Sequence, residues 1–151
     1  MKKCGTSIKS SYFQKSSFLK KIIIPSFITK IEDYSFFSCT LLKQVEISQS
    51  VTYVGQYAFA RCSGFTGSLI IPDLVATIGD YAFSGCTGFS DLLQIGNSIE
   101  KINTNTFAGL TGFKGTLTIG NHVKTIERES FKDFSKLNGP LIIPNSVTFI
   151  G

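Results

Sequence analysis

The sequence has no tryptophan, one methionine and one histidine in 151 residues. No stretch approaches the roughly 18 apolar residues of a membrane-spanning helix, so no membrane span is expected. The opening residues, MKKCGTSIKSSYF, have the basic start of a secretory signal without the apolar segment that should follow. Neither a signal nor an anchor is therefore expected. There is no G-x-G-x-x-G, no phosphate-binding loop and no H-E-x-x-H, which removes the commonest nucleotide and zinc-protease signatures. The lone His122 has no Ser or Cys nucleophile set beside it. The carboxylates are scattered, and Glu127 and Glu129 sit among Arg128 and Lys132 as a mixed-charge surface. The expectation is no enzyme, no catalytic residue, no cofactor and no metal.

What the sequence has is a period. Five phenylalanines, Phe36, Phe59, Phe83, Phe107 and Phe131, follow one another at almost equal steps, with Phe13 ahead of them. This ladder accounts for much of the content of fourteen phenylalanines. Three aliphatic rows share the spacing. They are Ile24, Ile47, Ile71, Ile95, Ile119, Ile143; Ile28, Val51, Val75, Ile99, Val123, Val147; and Ile31, Val54, Ile78, Ile102, Ile126, Ile150. One such unit cannot bury its apolar face alone, but stacked units bury a continuous core, so the period reads as a solenoid. The expected division is one domain over residues 1–151. A partial repeat spans 8–21, followed by repeats 22–44, 45–68, 69–92, 93–116 and 117–140 and a partial repeat 141–151. No capping unit is recognisable at either end, which suggests a fragment of a longer array.

The local reading comes from the clearest copy, Leu69–Leu92. Leu69-Ile70-Ile71 alternates as a short strand with Leu69 and Ile71 inward. Pro72 has no N–H, so the strand ladder ends there. Pro25 and Pro144 hold the same place, with Ser48, Gly96 and Gly120 in the other copies. Asp73, Asn97, Asn121 and Asn145 come next and are expected to satisfy backbone groups of the turn. Residues 80–86 read as one turn of 3₁₀ or α-helix placing Phe83 and Cys86 inward, with Tyr81 exposed. The fold class is thus a β-dominated α/β-type solenoid, with a parallel strand sheet on one side and 3₁₀ or irregular segments on the other.

Cys39, Cys62 and Cys86 form a further row, continued by Leu110 and Phe134. A position that accepts Cys, Leu or Phe is a packing position, and cysteines spaced a whole repeat apart are far from a zinc knuckle. These cysteines are expected as thiols, with Cys4 outside the row and exposed. His122 aligns with Phe27, Ser50, Leu74, Ser98 and Ser146, a variable surface position. The net charge of +5 is uneven: residues 1–44 hold eight lysines against Glu32 and Asp33. No arginine cluster or RNA-binding aromatic motif accompanies them, so a solvated face is expected and nucleic acid is not an expected partner.

The pattern L-x-I-P-x-x-V-x-x-I-G-x-x-A-F-x-x-C, nearly whole at Leu69–Cys86 and repeated at Val45–Cys62 with Ser48 for proline, resembles the leucine-rich repeats of the BspA-like class. The resemblance implies a right-handed, curved coil with its parallel sheet on the concave side. It also implies a cell-surface or extracellular protein that adheres to host proteins and aggregates cells; the expected partner of the concave face is a protein or a glycan. The absent signal leaves a cytoplasmic location as the alternative. The outward strand row, Ile23, Glu46, Ile70, Gln94, Thr118 and Ile142, is the candidate partner-binding site, because exposed isoleucines on a sheet face mark contact surfaces. The competing reading is a structural protein that self-associates through open solenoid ends.

Overall fold

The computed structural model describes residues 5–151; the expectation for Cys4 lies outside them. The chain winds into stacked coils built from β1 (Ser7–Ile8), β2 (Lys21–Ile23), β3 (Lys30–Ile31), β4 (Gln44–Glu46), β5 (Tyr53–Val54), β6 (Gly67–Ile70) and β7 (Thr77–Ile78). It continues through β8 (Phe89–Gln94), β9 (Lys101–Ile102), β10 (Thr116–Thr118), β11 (Thr125–Ile126), β12 (Leu141–Ile142) and β13 (Phe149–Ile150). After β1, each coil contributes two strands, and every pairing is parallel. The even-numbered strands form a front row, as the alternation at Leu69–Ile71 predicts. The odd-numbered strands form a side row. In the sequence this second row was visible only as inward Ile and Val positions.

There is no helix among the described residues, which corrects the α/β part of the fold class to all-β. The expected 3₁₀ turn is also replaced, for a reason visible in residues 57–62. The N–H groups of Ala58, Ala60 and Cys62 donate to carbonyls three residues back, as a 3₁₀ turn would. Those between them do not: Tyr57, Phe59 and Arg61 donate to Asp80, Ala82 and Ser84 of the next coil at 3.0, 2.8 and 2.7 Å. A regular helix would spend every donor within its own segment, leaving nothing to join neighbouring coils. The alternation requires left-handed backbone at two points per coil, four residues apart: Tyr34 and Ser38, Tyr57 and Arg61, Tyr81 and Gly85, Asn105 and Gly109. For residues other than glycine this costs roughly 1 kcal/mol each.

The core lies between the rows. Phe13, Phe36, Phe59, Phe83, Phe107 and Phe131 stack with centroids 5.2, 4.9, 5.1, 5.8 and 5.7 Å apart and rings within 9° of parallel. A second column contains Phe65 and Phe89, stacked at 4.6 Å, with Phe113 beyond them. Tyr81, expected to be exposed, is half-buried in a third stack, Tyr34–Tyr57–Tyr81, at 5.0 and 4.8 Å. Coil stacking therefore makes aromatic columns even where a single coil would leave the ring in water.

Two inward rows depart from expectation. Ile24, Ile71, Ile95 and Ile119 are buried, but Ile47 is only partly so, and Ile143 and Ile150 are 42% and 58% exposed. The last two lie in the final described coil. The acidic and amide residues after the proline position also act differently. Asp73 accepts from the N–H of Asn97 at 2.9 Å, and Asn97 in turn accepts from the N–H of Asn121 at 3.2 Å. They bind the next coil's backbone, beyond their own turn. Glycine is required at Gly96, since a Cβ there would stand 2.4 Å from the Pro72 carbonyl oxygen.

Each row is interrupted once. On the side, β7 and β9 do not pair, and the Asn103 side-chain amide donates to the Ile78 carbonyl at 2.6 Å. On the front, β2 pairs only with β4, and β6 begins a separate sheet of β6, β8, β10 and β12. The front break coincides with a change of period. Lys30 of β3 lies opposite Tyr53 of β5, and Tyr53 lies opposite Thr77 of β7, a step longer by one residue. The extra residue enters near Gly67, whose φ is +73°, and a one-residue insertion locally disrupts a ladder.

Phe83→Ala should destabilise the fold by about 3–5 kcal/mol, the range for deleting a buried Phe. Tyr81→Ala should lose about 1 kcal/mol, the worth of one stacked pair. Urea denaturation of the two variants checks both, and equal losses would contradict the placement of these rings.

Candidate functional site

All six residues of the candidate row are exposed, and the pairing register aligns them. Ile23 lies opposite Glu46; Ile70 lies opposite Gln94, which faces Thr118, which faces Ile142. The alternation of the strands holds them out: Leu69, Leu93 and Leu117, their inward neighbours, are at most 4% exposed. The structure does not bring the six into one continuous row, because the front break falls between Glu46 and Ile70. Ile23, Ile70 and Ile142 are 58%, 49% and 70% exposed, unusually open for isoleucine. Charge on the face is small. Glu46 pairs with Lys21 at 2.8 Å, an exposed pair worth little energetically.

Of the lysines near the amino terminus, Lys9 and Lys21 are paired with Glu32 and Glu46, whereas Lys15, Lys20, Lys30 and Lys43 have no ion pair among the described residues. The hydrogen bond from Lys9, with one from Ser7, holds the Glu32 carboxyl below its usual range. His122 is exposed on the turn after β10. Among the described residues no group of three or more His, Cys, Asp or Glu is arranged to hold a metal ion. Nor, among them, is any helix long and apolar enough to cross a membrane.

Cys39, Cys62 and Cys86 are fully buried free thiols. Each donates across to the preceding coil, to the carbonyls of Phe13, Phe36 and Phe59 at 2.9, 3.1 and 3.1 Å. Burial pushes the Cys86 thiol far above its ordinary range. Cys62 is raised too, by the neighbouring Cys39 thiol and by burial. The Cys62 thiol beside it holds Cys39, at the end of the row, down to about 7. The row packs as expected. It also satisfies carbonyls that the Leu110 and Phe134 side chains cannot serve, a role that left no signal in the sequence.

On the opposite side, Tyr34, Phe37, Tyr57, Tyr81 and Arg61 line an open depression of about 440 Å³, with the Arg61 guanidinium 5.7 Å from the Phe37 ring centre. Sequence reasoning missed this feature; the signal available was Tyr34, Tyr57 and Tyr81 recurring in step with the phenylalanine ladder.

Six copies of the BspA type leucine rich repeat region are matched over residues 6–138. The chain belongs to this family. Among solved structures, the BspA-type chain is similar to a leucine-rich repeat protein of T. pallidum, at 22% identity and a TM-score of 0.87, over 96% of this chain and 66% of that one. It is also similar to a leucine-rich cell surface protein of Faecalibacterium prausnitzii, at 27% identity and a TM-score of 0.81, over 97% of this chain and 38% of that one. A leucine-rich repeat protein of Bacteroides ovatus matches at 24% identity and a TM-score of 0.70, over 97% and 43%. The chain thus spans less than two thirds of each of these neighbours. No curated protein matches it.

Cys62 and Cys86 should resist alkylation in the folded protein and react fully in urea, because burial disfavours the thiolate that reacts. Mass spectrometry after timed iodoacetamide treatment checks this. Labelling of Cys86 at equal rates in both conditions would overturn the packing assignment.

Proposed function

We propose that this BspA-type repeat domain is a non-enzymatic protein-binding module of a microbial cell surface, engaging an extracellular partner through its front strand row. The observation that carries the reading is the set of exposed front residues Ile23, Glu46, Ile70, Gln94, Thr118 and Ile142, aligned on either side of the front break and half of them isoleucine. Apolar side chains displayed on a rigid sheet exact little ordering entropy when a partner covers them. The surface location is supported by the family and by the Faecalibacterium neighbour, described as a cell surface protein. With about two outward residues per strand the row offers about a dozen contacts, below the roughly 20–30 per side of a standard interface. Affinity is therefore modest and gains from avidity on a crowded surface.

A second reading is self-association. The final described coil leaves Leu141, Ile142, Phe149 and Ile150 more than half exposed, with one edge of β12 and of β13 unpaired among the described residues. Exposed strand edges of this kind template further pairing. Sedimentation across a range of concentrations separates the two, since a separate ligand requires no mass increase of the free protein.

Ile70→Arg combined with Thr118→Arg should abolish capture of a surface partner while leaving circular dichroism and melting temperature nearly unchanged, because both side chains are solvent-facing. Binding that survives this change but is lost on replacing Lys20, Lys21 and Lys43 would move the site to the basic patch.

A further inference from the structure

The front break leaves an open cleft of about 540 Å³ between β4 and β6. Gln44, Glu46 and Ile47 stand on one wall and Gly67, Ser68 and Ile70 on the other. Such a volume lies within the roughly 300–1,000 Å³ of ligand sites. Its chemistry is that of an interrupted ladder. Elsewhere on the front the equivalent N–H groups are matched: Ile24 donates to Glu46, Ile71 to Gln94 and Ile95 to Thr118, at 2.8–2.9 Å. Ile47, in the same position of its coil, donates to no carbonyl among the described residues, and the Ile70 carbonyl receives nothing from it. Below the cleft the coils still touch, through the Thr66 N–H to the Lys43 carbonyl at 3.0 Å. The two walls therefore diverge from a fixed base.

We propose that this cleft binds an extended peptide segment of the partner, whose main chain offers a carbonyl to the Ile47 N–H and an N–H to the Ile70 carbonyl. This rests on the front face being the binding face and narrows it to one place and one ligand class. An extended main chain presents donors and acceptors at strand spacing on both of its edges, so it can turn a carbonyl toward one wall and an N–H toward the other. The other side chains argue against rival ligands. Lys21 and Glu46 neutralise each other, so no net charge attracts a phosphate or an acidic sugar. Phe89, the one aromatic in the lining, is 1% exposed and offers no face for a sugar ring to stack on. Ile70 and Pro72 supply an apolar wall beside the polar Gln44, Thr66 and Ser68, which suits a segment of small, uncharged side chains.

The test uses a phage-displayed library of random dodecapeptides, selected on the intact protein, with hydrogen exchange as the site-specific readout. In the free protein the Ile47 amide should exchange much faster than those of Ile24, Ile71 and Ile95, and a selected peptide should slow it. Methylating the central backbone nitrogens of that peptide should weaken binding by at least about tenfold, and deleting Gly67, which restores the shorter repeat and closes the ladder, should do the same. His122→Ser, exposed on the turn after β10 and outside both the cleft and the strand row, should leave peptide binding unchanged. An Ile47 amide already as slow as that of Ile71, the absence of enriched peptides, or enrichment on a glycan array instead would overturn the proposal. A selected peptide that binds while the Ile47 amide stays fast would also overturn it, by placing the peptide elsewhere on the strand row, and would leave the wider reading of the face intact.

Discussion

Every part of this molecule depends on the hydrogen bonds and stacked rings that join each coil to the next. A single coil has no interior of its own, so its apolar side chains are buried only because a near-identical coil lies against it. The interval is set by parallel strand pairing, about 4.8 Å. The phenylalanine column, with steps of 4.9–5.8 Å, fits that interval with rings almost parallel. Offset stacking of this kind adds roughly 0.5–1.5 kcal/mol per pair beyond area burial. The left-handed residues at each coil's outer turn, Tyr57 and Arg61 among them, are the strain accepted so that every second N–H points to a neighbour.

The same dependence explains where the structure opens. Coils of equal length repeat their polar groups at equal heights, and a change of length by one residue shifts part of one coil out of step. At the step from Val45 to Leu69 the shift appears as the unpaired Ile47 N–H and a partly exposed Ile47 side chain. At the side break the protein has a local remedy, the Asn103 amide reaching Ile78; at the front break the Thr66 hydroxyl reaches the Lys43 carbonyl at the base, and no side chain among the described residues bridges Ile47 and Ile70. The unmatched backbone thus sits on the face that carries the exposed Ile23, Ile70 and Ile142.

The chemistry of the buried polar groups is spent on this joining. The thiols of Cys39, Cys62 and Cys86 donate to carbonyls of the preceding coil, and the Ser35 and Ser130 hydroxyls do likewise. Asp73 and Asn97 hold the N–H groups of the following coil. With these groups committed to structure, what the protein offers a partner is surface: a strand row, a cleft in it, and a tyrosine-lined depression opposite.

By itself the sequence determined the period, the inward rows, the aromatic column and the family pattern. Those features depend on one property of each residue, whether it is apolar, and burial selects that property at the same place in every coil. It also fixed the outward direction of Ile70, Gln94 and Thr118, because a strand alternates. Only the tertiary structure decided the rest. The side row of strands, the alternating donors of residues 57–62 and the half-burial of Tyr81 depend on what lies one coil away, close in space and a whole repeat distant along the chain. So does the unpaired edge at Ile47: whether a backbone group finds a partner is a relation between two coils, and a one-residue difference in length settles it without changing the character of any residue.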